Sequence, residues 1–314
     1  MDSEVTGGPA EAARDGYRSP MSVADLVPTP EILATRLAEH DYLADPGLAT
    51  ALFCAVRLPQ PLLLEGEAGV GKTQSAKALA ALLATPLIRL QCFEGIDSSE
   101  ALYEWNYPRQ LLGIRMAEAE GRSLTEDSLF SREFLIERPL LQALQHPGPN
   151  PAVLLIDEVD RADEEFEAFL FELLAESSVT IPELGTIMAT VPPVVILTSN
   201  RTRDLHDALK RRCLYHWIDY PDLAHATEIV RLRVPEAPDG LVEQVAAAVE
   251  RLRGLDVQKP PGVAEAIDWI SAALLLGVDV LDAEAVDRTI GSVLKYREDQ
   301  DVARAEGLAW VASG

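Results

Sequence analysis

Basic residues are scarce in this chain: Lys and Arg number 27 against 51 Asp and Glu, a net charge of −24 over 314 residues. Nucleic-acid binding depends heavily on Lys/Arg contacts to phosphate and the counterions they release. A chain of this sign is therefore expected to bind no nucleic acid unless a local basic stripe overrides the sum. Anionic membrane surfaces are disfavoured for the same reason. Long apolar runs are also missing; none approaches the about 18 residues needed to cross a bilayer, so no stable membrane insertion is expected. Cysteine is rare, and Cys54, Cys92 and Cys213 share no metal-ligand spacing. An odd count of three points to reduced, structural thiols and a cytoplasmic location. Met1 to Pro20 has neither a basic n-region nor an apolar h-region, so no secretory leader is expected. Aromatics make up only 6% of residues, yet the hydrophobic total of 48% suffices for a substantial core.

The length favours one large domain plus a smaller one. Residues 1–28, punctuated by Gly7, Gly8, Pro9, Pro20 and Pro28, read as a flexible N-terminal tail. Two helical patterns follow between Glu31 and Arg57. Short apolar runs then alternate with helical patterns: Leu62 to Leu64, Leu87 to Leu90, Val153 to Ile156, Val194 to Leu197 and Leu214 to Ile218. Buried strands separated by helices imply an α/β fold with a parallel sheet flanked by helices on both faces, over residues 29–221. After Pro221 only helical patterns remain, at 224–234, 241–252, 263–276 and 283–296, so residues 222–314 read as a smaller all-helical domain.

The chemistry concentrates in three stretches. Gly66-Glu67-Ala68-Gly69-Val70-Gly71-Lys72-Thr73 satisfies G-x-x-x-x-G-K-[ST] between a strand run and an amphipathic helix bearing Ala76, Leu79, Ala80 and Leu83. Its glycines let backbone N–H groups approach phosphate oxygens, Lys72 suits the β- and γ-phosphates, and the Thr73 hydroxyl suits Mg²⁺. The helix start adds a positive dipole end. Val153 to Glu158 is an apolar strand ending in adjacent carboxylates. Asp157 there suits Mg²⁺, and Glu158 suits deprotonating an attacking water. Asn200 ends another strand and is placed to hydrogen-bond that water or the γ-phosphate. Alone, an Asp-Glu strand end or a strand-terminal Asn is an ordinary boundary; beside the phosphate loop both gain meaning. Arg211 and Arg212 precede the last strand run and can stabilise phosphoryl charge, or simply close a helix at its negative dipole end.

The order of phosphate loop, Asp-Glu strand, Asn-tipped strand, arginine pair and helical C-terminus resembles AAA+ ATPases. The stretch Asp157-Glu158-Val159-Asp160-Arg161-Ala162, with Val179-Thr180-Ile181 and Asn200, is similar to the MoxR family. Residues 160–220 are most similar to its CoxD group, associated with maturing carbon monoxide dehydrogenase-type molybdenum enzymes. The resemblance implies a P-loop AAA+ core with a helical lid domain, ATP and Mg²⁺ as ligands, and Asn200 as sensor 1. It implies an arginine finger at Arg211 or Arg212, with Arg212 preferred because it lies closer to the strand. It also implies a homo-hexamer and a client protein, possible clients being a molybdenum hydroxylase and a protein with a von Willebrand factor A domain. No sensor-2 arginine stands in Pro260 to Glu265, where Lys259 is the nearest cation. Residues Cys92 to Arg138, with Tyr103-Glu104-Trp105-Asn106-Tyr107-Pro108, resemble the helix-2 insertion of this clade. Thr180 to Ile187 is expected to form its pre-sensor hairpin, with Pro182 to Gly185 as a four-residue turn. Gly95 to Arg109 or that hairpin is expected to meet the client through exposed Trp105 and Tyr107.

In the helix after Asp160, a stripe of Phe166, Phe169, Leu170, Leu173 and Leu174 reads as core, with Glu165, Glu167, Glu172 and Glu176 outside it. Three functions follow: an ATPase that remodels a partner or matures its metal centre, a nucleotide-controlled binding module with little turnover, and a nucleic-acid motor. The net charge disfavours the last.

Overall fold

The computed structural model describes residues 23–58 and 60–313. The expected N-terminal tail lies, up to residue 22, outside the described residues. Its last part is a short helix, α1 (Val23–Leu26), followed by the fully buried Val27. Next come α2 (Pro30–Ala38), α3 (Pro46–Arg57), β1 (Leu62–Gly66), α4 (Lys72–Leu82) and β2 (Leu87–Gln91). Residues 92–138 hold α5 (Ser98–Ala101), β3 (Tyr103–Trp105), α6 (Tyr107–Ala119), α7 (Glu126–Leu129) and β4 (Leu135–Glu137). After α8 (Pro139–Leu144) and β5 (Val153–Asp157) come α9 (Glu164–Glu176), β6 (Ser178–Ile181), β7 (Gly185–Met188) and β8 (Val194–Ser199). The α/β part closes with α10 (Asp207–Arg212) and β9 (Leu214–Ile218).

Five strands form one parallel sheet in the order β2-β5-β8-β1-β9. Successive side chains on a strand face opposite ways, and the core divides accordingly. Leu62, Leu64, Val153, Leu155, Val194 and Ile196 pack with α2, α3 and α4. Leu63, Leu154, Ile156, Val195 and Leu197 pack with α8, α9 and the 92–138 segment. A sheet buried on both faces explains why these strands read as continuous apolar runs. Asp45 and Asp163 start α3 and α9 by accepting backbone N–H groups, from Gly47 at 2.8 Å and from Phe166 at 2.9 Å.

The C-terminal region is helical: α11 (Leu223–Arg233), α12 (Asp239–Arg253), α13 (Val263–Leu275), α14 (Ala283–Val293), α15 (Arg297–Glu306) and α16 (Leu308–Ala312). The helix expected over 283–296 stops at Val293, and α15 and α16 were not anticipated. The third core cluster gathers around the fully buried Trp269, whose indole N–H donates to Thr289 Oγ1 at 2.6 Å.

Other expectations also need correction. The β6–β7 hairpin pairs Ile181 with Gly185, leaving Pro182 to Leu184 as a three-residue loop rather than a four-residue turn. The 92–138 segment contains an antiparallel ribbon, Trp105 opposite Leu135. Trp105 is only 7% exposed and stacks edge-on against Phe130 at 5.2 Å, so it is core and not a contact residue, whereas Tyr107 is exposed. Glu167, placed outside the apolar stripe of α9, is 1% exposed, because Arg203 ion-pairs with it and the His206 N–H donates to it. The side chain of Glu172 lies outside those described. Among the described residues, no helix is long and apolar enough to cross a membrane.

Candidate functional site

The carboxyl ends of β1, β5 and β8 meet at one edge of the sheet, where open α/β sheets bind ligands. Gly66 ends β1 so close to the neighbouring strand that a Cβ would stand 2.4 Å from the Ile218 carbonyl oxygen. Gly71, in the left-handed region at φ 98°, then turns the loop into α4. Lys72, 7% exposed, donates through Nζ to the carbonyls of Gly66 at 2.8 Å and Glu67 at 2.7 Å. Burial lowers the Lys72 pKa, and the charges of Asp160, Glu67, Asp157 and Glu158 oppose that shift.

The Thr73 hydroxyl, at the start of α4, donates to Asp157 Oδ1 at 3.0 Å. Thr198 on β8 donates to the same oxygen at 2.5 Å and accepts the Glu158 N–H at 3.0 Å. Arg89 of β2 holds Asp157 Oδ2. Glu158 sits in the left-handed region at φ 54°, a strained position for a non-glycine residue, and its carboxylate meets Arg161 at 3.2 Å. Asn200 follows β8, and its loop is pinned by the buried Asp160. That carboxylate accepts the N–H groups of Asn200 at 3.3 Å and Thr202 at 2.8 Å, and the Thr202 hydroxyl at 2.7 Å.

One cavity of about 960 Å³ unites these groups. Ala68, Gly69, Val70, Gly71, Lys72, Thr73, Asp157, Glu158 and Asn200 line one part of it. Tyr42 to Pro46, His216 and Tyr220 extend it, and the C-terminal region contributes His225, Ile229, Arg233, Val263, Ala264 and Ile267. Gly66 and Glu67 serve through the carbonyls that hold Lys72. The C-terminal region touches the phosphate loop directly, the Ala264 N–H donating to the Gly69 carbonyl at 3.4 Å.

Arg211 and Arg212 end α10, both exposed, and neither lines the cavity of its own chain. The Arg212 guanidinium lies 4.4 Å above the Phe171 ring. Lys259 does not line the cavity either; its backbone N–H donates to Asp299. Among the described residues of the C-terminal region, Arg233 on α11 brings a permanent positive charge to the cavity, and sequence spacing did not single it out. Thr198, Asp160 and Arg89 were likewise missed; Asp160 alone had a signal, standing three residues past Asp157.

A hydroxyl beside a carboxylate on a phosphate-binding loop is the oxygen donor set that suits Mg²⁺ shared with a nucleotide. Among the described residues no cluster of three or more His, Cys, Asp or Glu offers an alternative metal cage. The residues present therefore fit Mg²⁺, which Thr73 and Asp157 would hold.

The fold defines the class: a P-loop AAA+ core with a five-stranded parallel sheet flanked by helices, and a helical C-terminal region. Residues 61–213, from the residue before β1 to the residue before β9, match the family described as AAA domain (dynein-related subfamily). An uncharacterized protein of Staphylococcus haemolyticus is 26% identical over 261 residues, which cover 80% of this chain and 90% of that protein. Another of Staphylococcus aureus strain NCTC 8325 is 27% identical over 261 residues, covering 80% and 89%. Among solved structures, a RuvB mutant titled Thermogota maritima aligns with TM-score 0.46 and 18% identity, over 78% of this chain and 66% of that one.

Proposed function

We propose that the chain hydrolyses ATP and uses the cycle to remodel a partner protein, as a MoxR-type AAA+ ATPase. The observation that carries this is the convergence of Lys72, Thr73, Asp157, Glu158 and Asn200 on one cavity from three separate segments. Lys72 and the loop N–H groups bind the phosphates, while Thr73 and Asp157 would hold Mg²⁺, which when bound would supply positive charge to the phosphate oxygens. Glu158 takes a proton from the attacking water, and Asn200 orients that water or the γ-phosphate. As water joins the γ-phosphorus, the bond to the β–γ bridging oxygen breaks and ADP leaves. Arg212 or Arg211, exposed and outside its own cavity, acts as a finger on a neighbouring subunit. A finger supplied head-to-tail closes a ring, here a homo-hexamer.

The partner reading rests on surface placement. The β6–β7 hairpin and the 92–138 segment share one core cluster, Ile181, Leu184 and Ile187 belonging to it with Tyr103, Trp105 and Phe134. The exposed Tyr107 and Met188 belong to that same pair of segments. A client, whether a molybdenum hydroxylase under maturation or a protein with a von Willebrand factor A domain, engages this surface. The alternative is a nucleotide-controlled binding module, favoured by the pairing of Glu158 with Arg161, which turns the base toward a cation.

Lys72→Ala and Glu158→Gln test the reading. Lys72→Ala should lose ATP binding. Glu158→Gln should keep binding and lose hydrolysis, because it alters only the group that acts on water. Near-normal turnover by Glu158→Gln overturns the ATPase assignment of that residue. Wild-type protein that binds ATP but turns over only negligibly, with or without a partner, favours the binding module.

A further inference from the structure

Arg89 comes from the edge strand of the sheet yet reaches the carboxylate at its chemical centre. Its Nε and Nη2 both donate to Asp157 Oδ2, at 3.0 and 2.6 Å, and Nη2 also donates to Gln91 Oε1 at 2.5 Å. The other oxygen, Oδ1, accepts the Thr198 and Thr73 hydroxyls, and Thr73 lies 3.3 Å from Oδ2 as well. A carboxylate offers about four lone-pair sites, so Asp157 is saturated by its own chain.

We propose that Arg89 is a displaceable counter-ion that competes with Mg²⁺ for Asp157, so that the site opens to the metal only when Arg89 releases Oδ2. This rests on the reading of the cavity as a Mg·nucleotide site. A hydrated Mg²⁺ held beside Thr73 needs an acceptor on Asp157 for its bound water. The two hydroxyls are poor candidates to yield. Thr73 belongs to the phosphate-binding helix itself, and Thr198 is 1% exposed on a central strand. The Arg89 side chain is 50% exposed against 5% for Asp157, and Gln91 Oε1 offers its guanidinium another acceptor. A guanidinium cannot discharge by losing its proton. Facing a divalent cation it must move, and until it moves its charge opposes the metal. The opposite role, in which Arg89 stays and orients Asp157 for the metal, predicts effects of the opposite sign.

The test uses the full chain and a fluorescent ADP analogue, first in EDTA and then titrated with Mg²⁺. Arg89→Gln should still bind the analogue in EDTA, showing an intact cavity. Its Mg²⁺ requirement should fall about tenfold, since a charge a few ångströms from the metal is removed. An unchanged or increased requirement overturns the proposal. In the wild-type chain, phenylglyoxal labelling of Arg89, read by peptide mass spectrometry, should rise when Mg²⁺ is added to the ADP-saturated protein. Labelling that falls or stays constant overturns the proposal, whether or not the variant folds. Wild-type protein that binds no nucleotide in either condition overturns the underlying reading of the cavity, and this inference with it.

Discussion

The Thr73 hydroxyl donates to Asp157 Oδ1 across 3.0 Å, although 84 positions separate the two residues. That bond joins the phosphate loop to the strand tip that carries both acidic groups. It means a disturbance on either side is felt by the other, and the predictions below probe how far such ties extend.

Asp160 should govern turnover more than binding. Its carboxylate takes three donors from the loop carrying Asn200, and hydrogen bonds to a charged group contribute about 1.5–3 kcal/mol each. Asp160→Asn replaces one acceptor by a donor facing N–H groups, so the loop loosens. Steady-state hydrolysis should fall about tenfold or more, the equivalent of about 1.4 kcal/mol, while ATP affinity by equilibrium binding stays close to wild type. A loss confined to affinity would contradict the positioning role.

Trp105→Ala should unfold the 92–138 segment rather than silence a contact. The indole is packed between Tyr103, at 6.1 Å, and Phe130. Removing a buried large aromatic costs about 3–5 kcal/mol. Thermal denaturation should show a clear drop in melting temperature. Tyr107→Ala, on the exposed side, should leave melting unchanged and lower only partner-dependent activity.

Arg212→Ala should keep nucleotide affinity and lower hydrolysis about 10³-fold or more if the residue reaches a neighbouring site. Mixing it with Lys72→Ala subunits should restore part of the rate, because each supplies what the other lacks. Its stacking on Phe171 gives Arg212 a structural role within its own chain as well. Comparison with Arg211→Ala, measured by both turnover and melting temperature, separates the two. If Arg211→Ala is the more damaging to turnover, the finger is Arg211.

The phosphate loop, the strand ending in Asp157 and Glu158, and the alternation of buried runs with helices were legible because each is a contiguous pattern. Local spacing carries the glycines, the lysine and the apolar period, and no distant residue is needed to read them. What the sequence alone did not disclose are pairings between distant segments. Arg89 and Asp157 stand 68 positions apart, Asp160 and Thr202 42, and Glu167 and Arg203 36. They meet only because the chain orders its strands β2-β5-β8-β1-β9, bringing the edge strand and the central strands to one carboxyl end. The same dependence explains Trp105 and Glu167. Whether an aromatic in a polar stretch or a carboxylate on an acidic helix is buried depends on which segment folds back over it, Phe130 in one case and Arg203 in the other. Burial and charge pairing are properties of the assembled tertiary structure, and the one-dimensional pattern determines only the elements from which that structure is built.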